Sequence, residues 1–330
     1  MDVVGRVGRG RSDARRRRVA RDSGCQGGAG LTGGRERESP RERLAYLAYR
    51  GVESLAMFLP ERLGRAVFDA AGHLAYHALP GVRATVAANQ AQVVGLEAGD
   101  ERVRASTIEA FELYARYWLD TFRLRVLPPD EVNRRTRMIE IEHIDDALAA
   151  GSGCICVLPH MGNWDVAGHH LVINGYRVAS VAEELKPPRL FELFLAHRER
   201  LGMRIVPLSE GTHVGSQLAG LLKGNWIVAL VADRDMGGRG IEVEMFGSPR
   251  RVPAGPALLS LSTGAPLLVC PTYTTPHGWI VRIGRPIRIE RSGTMRTDVT
   301  ALTRAMASEF ERAISARPAD WHMFQPAWTP

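Results

Sequence analysis

Lysine is nearly absent from this 330-residue chain: only Lys186 and Lys223 stand among 43 basic residues, so arginine carries the net charge of +7. Such an excess follows genomic base composition as readily as function and does not point to a nucleic-acid partner. It does leave a surface suited to anionic partners, phospholipid headgroups and phosphates among them. Cysteine is scarce too. Cys25, Cys154, Cys156 and Cys270 have no zinc-ligand spacing, and three of them fall in apolar runs, which predicts buried free thiols in a reducing compartment. No apolar run approaches the roughly 18 residues of a spanning helix. The N-terminal arginines are followed by no apolar core, so a secretory signal is not predicted either. Also missing are the Gly-x-Ser-x-Gly elbow, the His-Glu-x-x-His helix and the phosphate-binding loop. Acyl-serine chemistry, zincin-type hydrolysis and nucleotide hydrolysis therefore lose their usual carriers.

What is present falls into an extension and one domain. Residues 1–40 are rich in Gly, Arg and Ser, include Arg15-Arg16-Arg17-Arg18 and show no apolar periodicity, so they are expected to be disordered. Gly28-Ala29-Gly30-Leu31-Thr32-Gly33 formally fits the dinucleotide fingerprint, but no strand precedes it, and chance is its source. Residues 41–330 read as a single domain. In 41–80, Leu44, Leu47, Ala48, Leu55, Phe58 and Leu59 recur at helical spacing among Arg41, Arg43, Arg50 and Arg62. Such a segment either lies on an anionic bilayer or packs on the domain as a helical hairpin. Residues 81–150 read as helical. The stretch 101–124 carries Phe111, Tyr114, Tyr117, Trp118 and Phe122, expected chiefly in the core, and Pro128-Pro129 ends the helical region.

From 151 to 330 the pattern alternates. Strand-like runs occupy 154–158, 177–182, 204–208, 226–232, 241–246, 266–272 and 279–289, with helical stretches at 188–201, 214–222, 256–261 and 297–316. This alternation predicts an α/β fold with a mixed, largely parallel central sheet flanked by helices.

The chemistry concentrates where the first of these runs ends. Cys154-Ile155-Cys156-Val157-Leu158 stops at Pro159, and helix-like sequence resumes near Trp164, so His160 sits in the turn between a strand end and a helix start. Open α/β sheets carry ligands at such turns, and a neutral imidazole there can accept a proton near pH 7. A base of this kind works best with an orienting acid. Asp165 is close in sequence but lies inside the helix start, where bracing the turn is its alternative role. Asp233 ends the strongly apolar run 226–232, and if that strand neighbours the one before His160, both side chains reach one edge. A salt-bridged loop is the competing reading of Asp233. Glu183 ends another run, and Arg198 lies in a charged helical stretch with His197, where a solvated face is the plain alternative. Asp165, His169 and His160 together raise a metal-dependent hydrolase as a further alternative, without a carboxylate-rich set to support it.

His160-x4-Asp165 matches the HX4D signature of bacterial glycerolipid and lipid A acyltransferases. The blocks Val181-Ala182-Glu183-Glu184-Leu185-Lys186-Pro187, Phe194-Leu195-Ala196-His197-Arg198-Glu199-Arg200-Leu201-Gly202 and Ala232-Asp233-Arg234-Asp235 resemble the phosphatidylinositol mannoside acyltransferases of that superfamily more closely. So do residues 240–247, Pro253-Ala254-Gly255-Pro256-Ala257 and, earlier, Arg116-Tyr117-Trp118-Leu119-Asp120. The resemblance spans about Leu44 to the C-terminus. It implies an acyltransferase of groups other than aminoacyl, peripheral on the cytoplasmic face of the plasma membrane. Such an enzyme moves a long acyl chain from acyl-CoA to a mannose hydroxyl of a mannosylated phosphatidylinositol; a lipid A-type late acyltransferase with a glucosamine-based acceptor is the alternative. No metal and no cofactor beyond the acyl-CoA donor is implied. By the same resemblance His160 is the catalytic base and Asp233 the acidic partner, shorter than the glutamate common in the mannoside branch. Asp165 supports the motif, and Glu183 and Arg198 match polar substrate-binding positions. His197 stands where an aromatic residue is usual, a departure expected to bear on headgroup contacts. Backbone amides of the turn 161–164 are expected to stabilise the oxyanion, and the aromatic block 114–122 to help line an acyl groove.

Overall fold

The structure is a computed structural model that describes residues 39–183, 187–208, 213–235 and 237–328. The expected disorder of the extension, the glycine match at 28–33 and Cys25 lie outside these residues. Ser39–Pro330 forms one compact unit.

The chain enters through four helices: α1 (Pro40–Phe58), α2 (Glu61–Ala78), α3 (Pro80–Val94) and α4 (Glu101–Arg123). Ser39 opens α1 with a reciprocal capping box to Glu42 and Pro40 at the first helical position, so helix begins where the extension was expected still to run. Asp100 caps α4 by accepting from the Arg102 amide. Phe68, Leu119 and Phe122 form one small core among these helices, and Tyr76, Val86, Ala110 and Phe111 another. The expectation of buried aromatics on α4 therefore holds for Phe111, Tyr117 and Phe122. On α1 an apolar stripe faces outward instead: Leu44, Leu47 and Leu55 are exposed, and Phe58 is 85 % exposed.

The remainder runs α5 (Pro129–Arg135), β1 (Thr136–Ile139), α6 (Glu142–Ala149), β2 (Cys154–Leu158), α7 (Trp164–Ile173), β3 (Val178–Glu183), α8 (Pro188–Arg200) and β4 (Arg204–Leu208). It continues with α9 (Val214–Lys223), β5 (Ile227–Val231), β6 (Ile241–Met245), β7 (Ser248–Val252), α10 (Gly255–Thr263) and β8 (Leu267–Val269). Then follow β9 (Thr272–Thr275), β10 (Gly278–Arg282) and α11 (Met295–Ala316). The central sheet has the order β4-β3-β5-β2-β8, and every pairing in it is parallel. The expected α/β class is observed. Among the named strands of the described residues, antiparallel pairing joins only β10 with β9 and β6 with β7.

Period-two burial explains why the central strands are apolar throughout. Ile155, Val157, Val228 and Leu230 face a core formed with α9, α10 and α11. Cys154, Cys156 and Ile227 face the opposite core, shared with α6, α7 and β10. Cys154, Cys156 and Cys270 are buried free thiols, as their apolar setting predicted.

Three expectations are corrected. Residues 81–150 are not wholly helical, because β1 pairs in parallel with β10. The run 266–272 is two strands: after β8, Cys270-Pro271 breaks it before β9. The run 279–289 ends at Arg282, after which the chain crosses between sheets, with Ile283 N donating to Ile139 O and Ile287 N to Leu267 O. Among the described residues no helix is long and apolar enough to cross a membrane.

Candidate active site

Strand register brings the two residues singled out for proton transfer together. β2 and β5 pair in parallel with Leu158 opposite Val231, and His160 and Asp233 each stand two residues further on. Their side chains meet, His160 Nδ1 lying 2.5 Å from Asp233 Oδ1. A carboxylate oxygen only accepts, so Nδ1 carries the hydrogen and Nε2 is left as the basic nitrogen. His160 is partly open, with 22 % of its side chain exposed, while Asp233 is fully buried. Burial alone would raise the Asp233 pKa. The facing His160 charge and hydrogen bond, Arg250 and the Trp321 indole instead hold this carboxyl well below the usual carboxylate range. The Asp233 carboxylate thus faces the histidine and not solvent.

The turn carrying His160 is built for close approach. Gly162 has φ +56, and a β-carbon there would collide with the Thr272 carbonyl, so only glycine fits. Asn163 caps α7, its side chain accepting from Val166 N at 3.0 Å while its amide donates to Tyr117 O and Thr121 Oγ1. Two amides expected to serve an oxyanion are already engaged: Met161 N donates to Pro159 O and Gly162 N to Asp320 O. Only the Asn163 and Trp164 part of that expectation is retained.

Asp165 is buried and does not reach His160. It accepts from Arg198 Nε at 2.7 Å and from the Tyr117 hydroxyl at 3.0 Å. Burial would lower the Arg198 pKa, but Asp165 raises it. Arg198 therefore faces inward rather than lying on a solvated helix face. Beside this ion pair is a narrow apolar cavity of about 60 Å³, several times the room one water needs. Its lining includes Trp164, Leu158, Ala167, Ala229, Val281 and Ile283. Trp164 in turn packs edge-on against the His160 ring, with centroids 5.5 Å apart. The cavity wall comes from α6, α7, α8, the central sheet and β10; the α4 aromatics expected in an acyl groove are not part of it.

Glu183 ends β3 at the same sheet edge and is exposed, in neither the His160–Asp233 nor the Asp165–Arg198 pair. His197 is buried, and among the described residues neither ring nitrogen has a hydrogen-bond partner. Burial lowers its pKa, so it packs as a neutral ring and does not present itself to a headgroup as expected. The metal alternative does not assemble. Asp165 is held by Tyr117 and Arg198, His169 Nδ1 pairs with Leu201 O, and no group of three His, Cys, Asp or Glu among the described residues is placed to hold a metal.

The C-terminal segment also reaches the site, which the sequence reading missed. Trp321 Nε1 donates to Asp233 Oδ2 at 2.8 Å, and Arg250 donates to the Asp233 carbonyl. His322 N donates to His160 O, and His322 Nε2 meets Gly162 O at 2.9 Å. The only local trace is a Trp-His pair after Pro318, with nothing to say which element it would meet.

Comparison with known proteins identifies the family. A phosphatidylinositol mannoside acyltransferase of Mycolicibacterium smegmatis is 38% identical over 286 residues, covering 86% of this chain and 90% of that protein. One of Mycobacterium tuberculosis is 37% identical over 309 residues, covering 91% and 95% respectively. The family described as bacterial lipid A biosynthesis acyltransferase matches residues 33–329. The chain therefore belongs to the bacterial lipid A biosynthesis acyltransferase family and is an acyltransferase.

Proposed function

We propose that this enzyme transfers a long acyl chain from acyl-CoA to a mannose hydroxyl of a phosphatidylinositol mannoside, at the cytoplasmic face of the plasma membrane. The observation that carries the mechanism is the in-register meeting of His160 and Asp233 at the open edge of the sheet. Nε2 of His160 takes the proton of the attacking hydroxyl as its oxygen adds to the thioester carbonyl, and ionised Asp233 stabilises the imidazolium that forms. The carbon–sulfur bond then breaks, the thiolate of CoA leaves, and the proton passes from His160 to that sulfur. The amides of Asn163 and Trp164, at the N-terminus of α7, are the remaining backbone donors for the oxyanion. No acyl-enzyme is needed.

The narrow apolar cavity beside Trp164 suits an acyl chain and is too apolar for a sugar. Arg198 and Asp165 border it as a fixed polar rim, and Glu183 at the same edge is the candidate contact to acceptor hydroxyls. The mannosylated acceptor is favoured by the names of the relatives. Docking on an anionic bilayer accounts for the exposed Leu44, Leu47, Leu55 and Phe58 of α1, which stand beside arginines.

Labelled acyl-CoA offered with mannosylated phosphatidylinositol or with a glucosamine-based lipid A precursor tests the assignment. Incorporation into the mannolipid, lost in His160→Ala, is expected. Incorporation into the glucosamine lipid alone overturns the acceptor assignment, and undiminished transfer by His160→Ala overturns the base.

A further inference from the structure

Asp233 accepts on both oxygens, and only one of the bonds comes from the base. Oδ1 meets His160 Nδ1, while Oδ2 takes the indole N–H of Trp321 at 2.8 Å. An aspartate carboxylate turns easily about its terminal torsion, so a single partner does not fix its plane. The indole nitrogen donates and cannot accept, so this second bond has one polarity only. Both partners are fully buried, where no water substitutes for either.

The backbone around the indole grips the other side of the site. Trp321 forms an antiparallel bridge with Met161. On either side of it, Gly162 N donates to Asp320 O at 2.9 Å and His322 N donates to His160 O at 2.7 Å. The residues 320–322 thus lie across 160–162, more than 150 positions away in the chain, and hold the base through its main chain and the acid through its carboxylate. Arg250 completes the arrangement, its guanidinium 5.1 Å from the Trp321 ring centroid while it donates to the Asp233 carbonyl.

We propose that Trp321 is a positioning residue of the reaction, whose indole N–H fixes the Asp233 carboxylate so that Oδ1 stays on His160 Nδ1. The inference rests on His160 as the base proposed above. Because Trp321 is also packed in the main core, a plain truncation would mix two effects. Replacing it in the full-length chain with β-(3-benzothienyl)alanine keeps the bicyclic shape and puts sulfur where the N–H was.

Two readouts separate the donor from the packing. The first needs no substrate: with histidines labelled with ¹⁵N, the His160 Nδ1 resonance, assigned by its loss in His160→Ala, is expected to move in the isostere while melting temperature holds. The second is turnover, expected to fall about 10-fold with KM for acyl-CoA little changed, the loss typical of one hydrogen bond to a charged group. The acid limb of the pH–rate profile should move to higher pH, because a carboxylate with one donor fewer attracts the imidazole proton more strongly. In an Asp233→Asn background the same replacement should cost nearly nothing more, since Trp321 acts through the carboxylate. An unmoved His160 resonance, or an equal loss in the Asp233→Asn background, overturns the proposal. If wild type moves no acyl group to the mannolipid yet the resonance responds, the positioning role stands and the proposed reaction falls.

Discussion

Arg198 Nε lies 2.7 Å from Asp165 Oδ1, so the aspartate of the HX4D motif is engaged in a buried ion pair apart from the His160–Asp233 pair. Arg198→Met leaves a buried carboxylate with Tyr117 as its remaining side-chain donor. Urea unfolding of that variant should show a loss of about 3 kcal/mol, the cost of stranding one buried charge. Asp165→Asn should retain measurable acyl transfer, unlike His160→Ala; loss of all transfer in a folded Asp165→Asn enzyme would place Asp165 in the chemistry.

The cavity beside that ion pair sets an expectation for the donor. Ala229 lines it from the middle of the sheet, so Ala229→Leu fills part of its length. Competition between acyl-CoA donors should then shift toward shorter chains, at a stability cost of about 1–3 kcal/mol for overpacking. An unaltered chain-length profile in the folded variant would detach the cavity from the acyl group.

His322 gives a pH-dependent term. Burial pushes its pKa down to about 4, outweighing the opposing hydrogen bond from its Nε2 to the Gly162 carbonyl, so the folded protein holds it neutral. A basic group lowered on folding stabilises the protein above its unfolded pKa of about 6.5, and that stability is lost as pH falls toward 4. Between pH 7 and pH 5 the wild type should lose about 2 kcal/mol more than His322→Gln, measured by denaturant unfolding at both values. Asp320, raised to about 6 by burial, acts in the opposite direction in both proteins and cancels from the comparison. Equal slopes would assign the acid sensitivity to other groups.

How much of this was legible follows from which interactions are local. The span 154–165 was, because a continuous apolar run, a proline stop and a helix start all act within a dozen residues. Pairing His160 with Asp233 needed one further step, that parallel strands end at one edge, and the register of Leu158 with Val231 satisfies it. β7 was not legible: Ser248-Pro249-Arg250-Arg251-Val252 has the composition of a turn, and only its pairing with β6 makes it a strand. β1 escaped for a similar reason, being four residues paired to a strand more than 130 positions later. Trp321 and Arg250 are long-range partners of Asp233, and no spacing rule links them to it. Asp165 was placed correctly in the helix start, but its partners come from α4 and α8 and could not be read.

The outward stripe of α1 gives the membrane proposal a direct check. Leu47→Asp with Phe58→Asp should lower binding to vesicles containing anionic lipid by at least about 10-fold, since each side chain contributes apolar burial on docking. Turnover on detergent-dispersed substrate should be little affected. Unchanged vesicle binding would move the docking surface elsewhere.

The most direct test of the central claim is the rate of acyl transfer by Asp233→Asn beside wild type, both full-length and folded, with acyl-CoA and mannosylated phosphatidylinositol. An amide keeps the shape but cannot hold His160 Nδ1–H as an ionised acceptor, so turnover should fall by about 10²–10⁴ with little change in KM. Turnover within about threefold of wild type, which is less than one lost hydrogen bond to a charge, would contradict the account.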